Sequence, residues 1–155
     1  MEFSKKTSIA IVLLSICSVR PAIAAEPPAD LCSLLPAALV SKTLGENYGS
    51  PSQSVAPRPF RDTNEGTDCS YEAGNDSLLF RAYVDPSPSA ATELFARLKG
   101  FFGRGSTPVS GIGDEAYSDA NGALHVRTGK VRFEIAAQAT GEQLKDLADE
   151  VVGQL

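Results

Sequence analysis

Side chains that commonly do chemistry are scarce in this chain, which has one histidine, His125, and three cysteines, Cys17, Cys32 and Cys69. Acid–base or nucleophilic catalysis needs such a group beside a partner. His125 lies between Leu124 and Val126, on the same side of a strand-like run as Ala123 and Arg127. It reads as a solvated or hydrogen-bonded strand histidine on the less buried face rather than a catalytic one. Neither a G-x-S-x-G elbow nor an H-E-x-x-H pair occurs. A closed zinc shell built from one histidine and the cysteines would have to recruit carboxylates, so no catalytic residue, metal or cofactor is expected.

Three further patterns read as structure. Gly111-Ile112-Gly113-Asp114 has the start of a phosphate cradle, but G-x-G-x-x-G needs a glycine at Ala116 and a helix to follow. A tight turn with Gly111 and Gly113 at positive φ and Asp114 bonding the backbone fits better. The segment from Asp62 to Asp68 resembles the front of a calcium loop, yet its glycine comes one place early and Ala73 stands where the bidentate Glu belongs. The carboxylate pairs Asp114/Glu115 and Asp149/Glu150 are sequence neighbours that point apart, unlike a glycosidase pair. Asn75-Asp76-Ser77 is a formal glycosylation sequon at an expected hairpin tip.

The compartment is readable from the N-terminus. Lys5 and Lys6 precede an apolar run, Ile9 to Cys17, which Arg20-Pro21 ends. A basic n-region, a short h-region and the A-x-A match Ala22-Ile23-Ala24 are the parts of a cleavable secretory signal, residues 1–24. The run is about half of the ~20 residues that span a bilayer, so no membrane span is expected after cleavage. Leu14-Ser15-Ile16-Cys17 is a poor lipobox, because a bulky Ile precedes the cysteine. Cleavage near Ala24/Ala25 removes three of 14 basic residues and one of 19 acidic ones, leaving 11 and 18, a net charge of -7 against -5. Such a domain repels polyanions, which excludes a nucleic-acid partner. Cys32 and Cys69 then remain, an even count in an oxidising compartment, and read as one disulfide. Localisation is periplasmic or secreted, and a monomer is expected.

These residues must be positioned by one domain, residues 30–155, behind an extended leader over 25–29. Asp30 caps a first turn, Pro36 opens a helix ending at Gly45, and Leu35, Leu39 and Val40 share its apolar side. Residues 47–68 are polar and broken by Pro51, Pro57 and Pro59, with one short edge strand near Ser54 to Ala56. Runs over 67–73 and 77–85 make a hairpin about Gly74-Asn75-Asp76, with Leu78, Phe80, Ala82 and Val84 facing the core. A helix over 90–102 carries apolar residues at Ala91, Leu94, Phe95, Leu98, Phe101 and Phe102. Strands near 115–118, 123–128 and 131–139 follow, turned at Asn121-Gly122 and Gly129-Lys130. Thr140 and Gln143 form a capping box for a last helix with a stripe of Leu144, Leu147, Ala148, Val151, Val152 and Leu155. The expected class is α+β, an antiparallel sheet of five to six strands covered by three helices, with one disulfide.

Asp30-Leu31-Cys32-Ser33-Leu34-Leu35, Cys69-Ser70-Tyr71 and Gly111-Ile112-Gly113-Asp114-Glu115-Ala116, in that order, resemble a family of secreted or lipid-anchored bacterial domains of unknown function, common in actinobacteria. Its motifs are D-x-C-x-L-L, C-x-[WY] and G-[LI]-G-D-x-A. The resemblance implies that the two cysteines pair and that the G-I-G-D turn is a structural corner. It implies no reaction, cofactor or binding residues.

The expected function is an exported, non-catalytic binding module of unknown protein or small ligand in the cell envelope. Its contact surface would be the Pro-rich excursion around Arg58, Phe60 and Arg61 together with the exposed sheet face, since an aromatic residue between arginines has the make-up of a contact hot spot. The alternatives are an inhibitor or immunity-type protein against a basic exported enzyme, and a small-ligand-binding or hydrolytic protein with a carboxylate site.

Overall fold

A computed structural model describes residues 26–155. The secretory signal, its cleavage site and Cys17 lie outside the described residues. A 3-10 turn (Leu31–Leu34) leads into α1 (Ala37–Leu44), then β1 (Ser52–Ala56), β2 (Gly66–Ala73), β3 (Asp76–Val84) and α2 (Pro88–Phe102). After α2 come β4 (Thr107–Val109), β5 (Glu115–Ser118), β6 (Leu124–Thr128), β7 (Val131–Ala137) and α3 (Gly141–Val152). Among the described residues the class is α+β, with one antiparallel sheet and one disulfide. The sheet has seven strands in the order β1-β2-β3-β7-β6-β5-β4, which corrects the expected five to six. The uncounted strand is β4, three residues with a central proline at the sheet's edge, too short to show a period.

Local chemistry accounts for most element ends. Asp30 accepts a hydrogen bond from the Cys32 amide at 3.0 Å, and Gly45 ends α1 at φ +84°. Pro36 is the residue before α1, one place earlier than expected, and its fixed φ still sets the first turn. Ser87 caps α2, and both halves of the Thr140/Gln143 capping box are made. The hairpin joining β2 and β3 turns on two residues rather than three, with Ala73 already opposite Asp76. Gly74 at φ +60° supplies the positive φ that a type II′ turn needs at its first central position.

The sheet is covered on both faces. On the inner face the 3-10 turn, α1 and α3 bury the main core, in which Leu35, Val40, Phe80, Ile135 and Leu147 are among the innermost side chains. Cys32 and Cys69 pair there across a Cα separation of 5.7 Å, and the Tyr71 hydroxyl donates to the Leu35 carbonyl at 2.5 Å. Turn and β2 are thereby tied twice. On the outer face α2 packs through Ala91 and Phe95, the Phe95 ring 5.2 Å from that of Tyr117. The expected apolar stripe of α2 holds only in its first half. Phe101 and Phe102, in its last turn, are 72% and 60% exposed. Among the described residues no helix is long and apolar enough to cross a membrane.

Candidate functional site

Strand pairing places one polar row across the outer face. Asp68 of β2 lies opposite Arg81 of β3, Arg81 opposite Glu134 of β7, Glu134 opposite His125 of β6, and His125 opposite Tyr117 of β5. Alternation puts all five side chains on the same face, and neighbouring strands bring them about 4.8 Å apart along the row. The far part of this row floors a cleft of about 370 Å³. Phe95, Leu98 and Phe102 of α2 form one wall, and Pro57, Arg58 and Pro59 form the rim.

Tyr83 holds that rim in place. Its hydroxyl donates to the Pro57 carbonyl at 2.8 Å, and the Arg132 guanidinium covers its ring at 4.8 Å from the centroid. Gly66 makes the room, since a Cβ there would meet the Tyr83 ring at 2.6 Å and the Ala82 carbonyl oxygen at 2.5 Å. Arg132 is itself fixed by a buried, two-pronged pair with Asp85, Nε to Oδ2 at 2.5 Å and Nη2 to Oδ1 at 3.1 Å. Arg81 is likewise forked onto Asp68, at 2.6 and 3.0 Å, and that bond holds its guanidinium above its usual range.

At the other end His125 stacks on Tyr117, ring centroids 4.7 Å apart and planes at 13°. The Nε2 atom of His125 is 3.2 Å from Asp119 Oδ2. The other oxygen of Asp119 accepts from the amides of Asn121 and Ala123, at 2.8 and 3.0 Å, so one carboxylate both shapes the hairpin tip and anchors the histidine. Burial alone would raise the Asp119 pKa, but the hydrogen bonds from His125 and the two amides outweigh it and hold the group below the ordinary carboxylate range. The Tyr117 phenol is pushed up to about 12, first by burial and then by the carboxylates of Asp119, Glu134 and Glu115. It therefore stays neutral and able to donate. Glu134 is the least committed group of the row, with Arg81 Nη1 at 3.9 Å as its ion pair.

The expected contact residues divide. Arg58 sits on the rim, its Nε 3.5 Å from Glu65 Oε1. Phe60 is half-buried against α2, outside the main core, with the Arg97 guanidinium 3.7 Å above its ring and Phe101 edge-on at 5.9 Å. Arg61 is exposed, and the three residues share a separate, open hollow beside the cleft. Gly111 and Gly113, at φ +80° and +53°, form a corner away from the cleft. There Asp114 Oδ2 accepts from Arg127 Nη1 and the Gly129 amide, both at 2.8 Å. Among the described residues no group of three His, Cys, Asp or Glu side chains gathers as a metal site.

Sequence reasoning passed over Arg81, Tyr83, Tyr117, Asp119, Arg132 and Glu134. The available signal was the polar and aromatic content of the outward set in β3 and β7, which resembles any solvated face until the pairing of those strands is known. No protein-family model matches the chain, and no curated protein matches it.

Proposed function

We propose that this chain is an exported, non-catalytic binding module, and that its binding site is the cleft between the outer face of the sheet, α2 and the Pro57–Pro59 rim. One observation carries the reading: groups from β3, β5, β6 and β7 converge at one apolar-walled hollow of about 370 Å³, the size and make-up of a small-ligand site. Export is supported by the signal-like N-terminus and by a disulfide, which persists in oxidising compartments. His125 is held in the cleft floor by its hydrogen bond to Asp119 and by stacking on Tyr117, as a fixed lining group of a binding site would be.

The test is a fragment screen read by amide NMR on protein recovered after secretion. Perturbations should gather on β5, β6 and β7 around the cleft, and Leu98→Arg, which fills it from α2, should abolish them while the rest of the spectrum is kept. Perturbations confined to Phe60, Arg61 and Phe101 would shift the site to the neighbouring hollow. That result would favour a protein partner, which the exposure of Phe101 and Phe102 already makes the second reading.

A further inference from the structure

We infer that the cleft selects small organic cations, namely an ammonium group on a flat apolar body, over anions and neutral analogues. The inference rests on the cleft being the binding site. It follows from which groups are already spent. An anion would need a free guanidinium, yet the two inside the cleft are committed, Arg81 forked onto Asp68 and Arg132 onto Asp85, and Arg58 stands only at the exposed rim, beside Glu65. Drawing Arg81 or Arg132 to a ligand would strand a half-buried or buried carboxylate.

The acceptors are in the opposite condition. The Glu134 carboxylate has only the 3.9 Å approach of Arg81 and makes no hydrogen bond among the described residues. Beside it, His125 uses Nε2 for Asp119, which leaves Nδ1 free to accept whenever the ring is neutral. Tyr117, next in the row, offers its phenol oxygen. A row of oxygen and nitrogen acceptors on a floor walled by Phe95 and Phe102 suits a group with several N–H donors and one charge. The aromatic wall adds cation–π attraction for the same sign of charge, and the acidic molecule as a whole draws cations inward.

The test compares three probes of nearly one shape: phenethylamine as its ammonium ion, 2-phenylethanol and phenylacetate. Each is titrated into the secreted protein with amide shifts as the readout, and again into Glu134→Gln and a distant control, Glu142→Gln. The ammonium probe should bind about tenfold or more tighter than the other two, the worth of one charge-assisted hydrogen bond. Glu134→Gln should erase that preference and Glu142→Gln should keep it. If Glu134→Gln does not fold, Tyr117→Phe serves in its place, with a few-fold weakening expected for the ammonium probe. Equal or tighter binding of the alcohol or carboxylate at the same amides would overturn the cation preference and leave the cleft as the site. Failure of all three probes to move any cleft amide would remove the cleft reading itself.

Discussion

The outer face holds the two buried charged side chains of the described residues. Arg132 and Asp85 are almost wholly enclosed, and breaking such a pair leaves a bare charge without water or partner. Arg132→Ala should therefore cost about 3–5 kcal/mol in chemical denaturation, while a double change to apolar residues of similar volume should cost much less. A loss no greater than that of a surface substitution would show that water reaches the pair. The tyrosines make a second residue-level case. All four, Tyr48, Tyr71, Tyr83 and Tyr117, are raised above their ordinary value, in each case first by burial. A raised folded value means that the native state keeps its proton where the unfolded chain has lost it, so stability is complete below about pH 10 and declines as pH rises beyond it. Phenolate absorbance should accordingly lag behind that of free tyrosine and appear together with unfolding. Ionisation near pH 10 with the circular dichroism intact would contradict the burial of these rings. Gly66→Ala should displace Tyr83 and release the Pro57 rim, visible as faster amide exchange at Arg58 and Phe60.

At the scale of elements, α3 shows how local signals and tertiary contacts share one residue. Gln143 closes the capping box with Thr140 and also donates through Nε2 to the Thr43 carbonyl at the end of α1, at 3.0 Å. Thr140→Ala should lower stability by about 1 kcal/mol in urea titrations, and Gln143→Ala by more, because it frees α1 from α3 as well. Elements defined by their own residues were the legible ones. The β2–β3 hairpin, the Gly129-Lys130 turn and α3 follow from turn chemistry and period; Leu78, Phe80 and Ala82 of β3 and Leu144, Leu147, Ala148 and Val151 of α3 are buried as expected, whereas Val84, Val152 and Leu155 are half-buried and the outward-facing Tyr83 is buried too. Two failures have physical causes. A three-residue strand around Pro108 has no periodicity to read, and Phe101 and Phe102 continue the helical stripe but stay exposed, Phe102 bordering the open cleft and Phe101 meeting Phe60. The cleft was illegible for a different reason. Arg81, Glu134, His125 and Tyr117 come together only because β3 pairs with β7, and no local feature of either strand encodes that partnership.

For the molecule as a whole, the Cys32–Cys69 bond closes a loop between residues 37 apart in sequence, and the chain-entropy model assigns it about 3–4 kcal/mol. Replacing both cysteines by serine should remove an amount of that order, to be measured against a total that for a domain of this kind is about 5–15 kcal/mol. An unchanged denaturation midpoint would mean that the Tyr71 tie to Leu35 already suffices. The strand order has its own consequence. The middle seam of the sheet joins Leu78 to Ala137 and Val84 to Val131, so the strand at the centre is also the last to leave the ribosome. Without β7 the ribbons β1-β2-β3 and β6-β5-β4 have no contact edge in common, so the sheet cannot close before the last strand in the sequence takes its place between them.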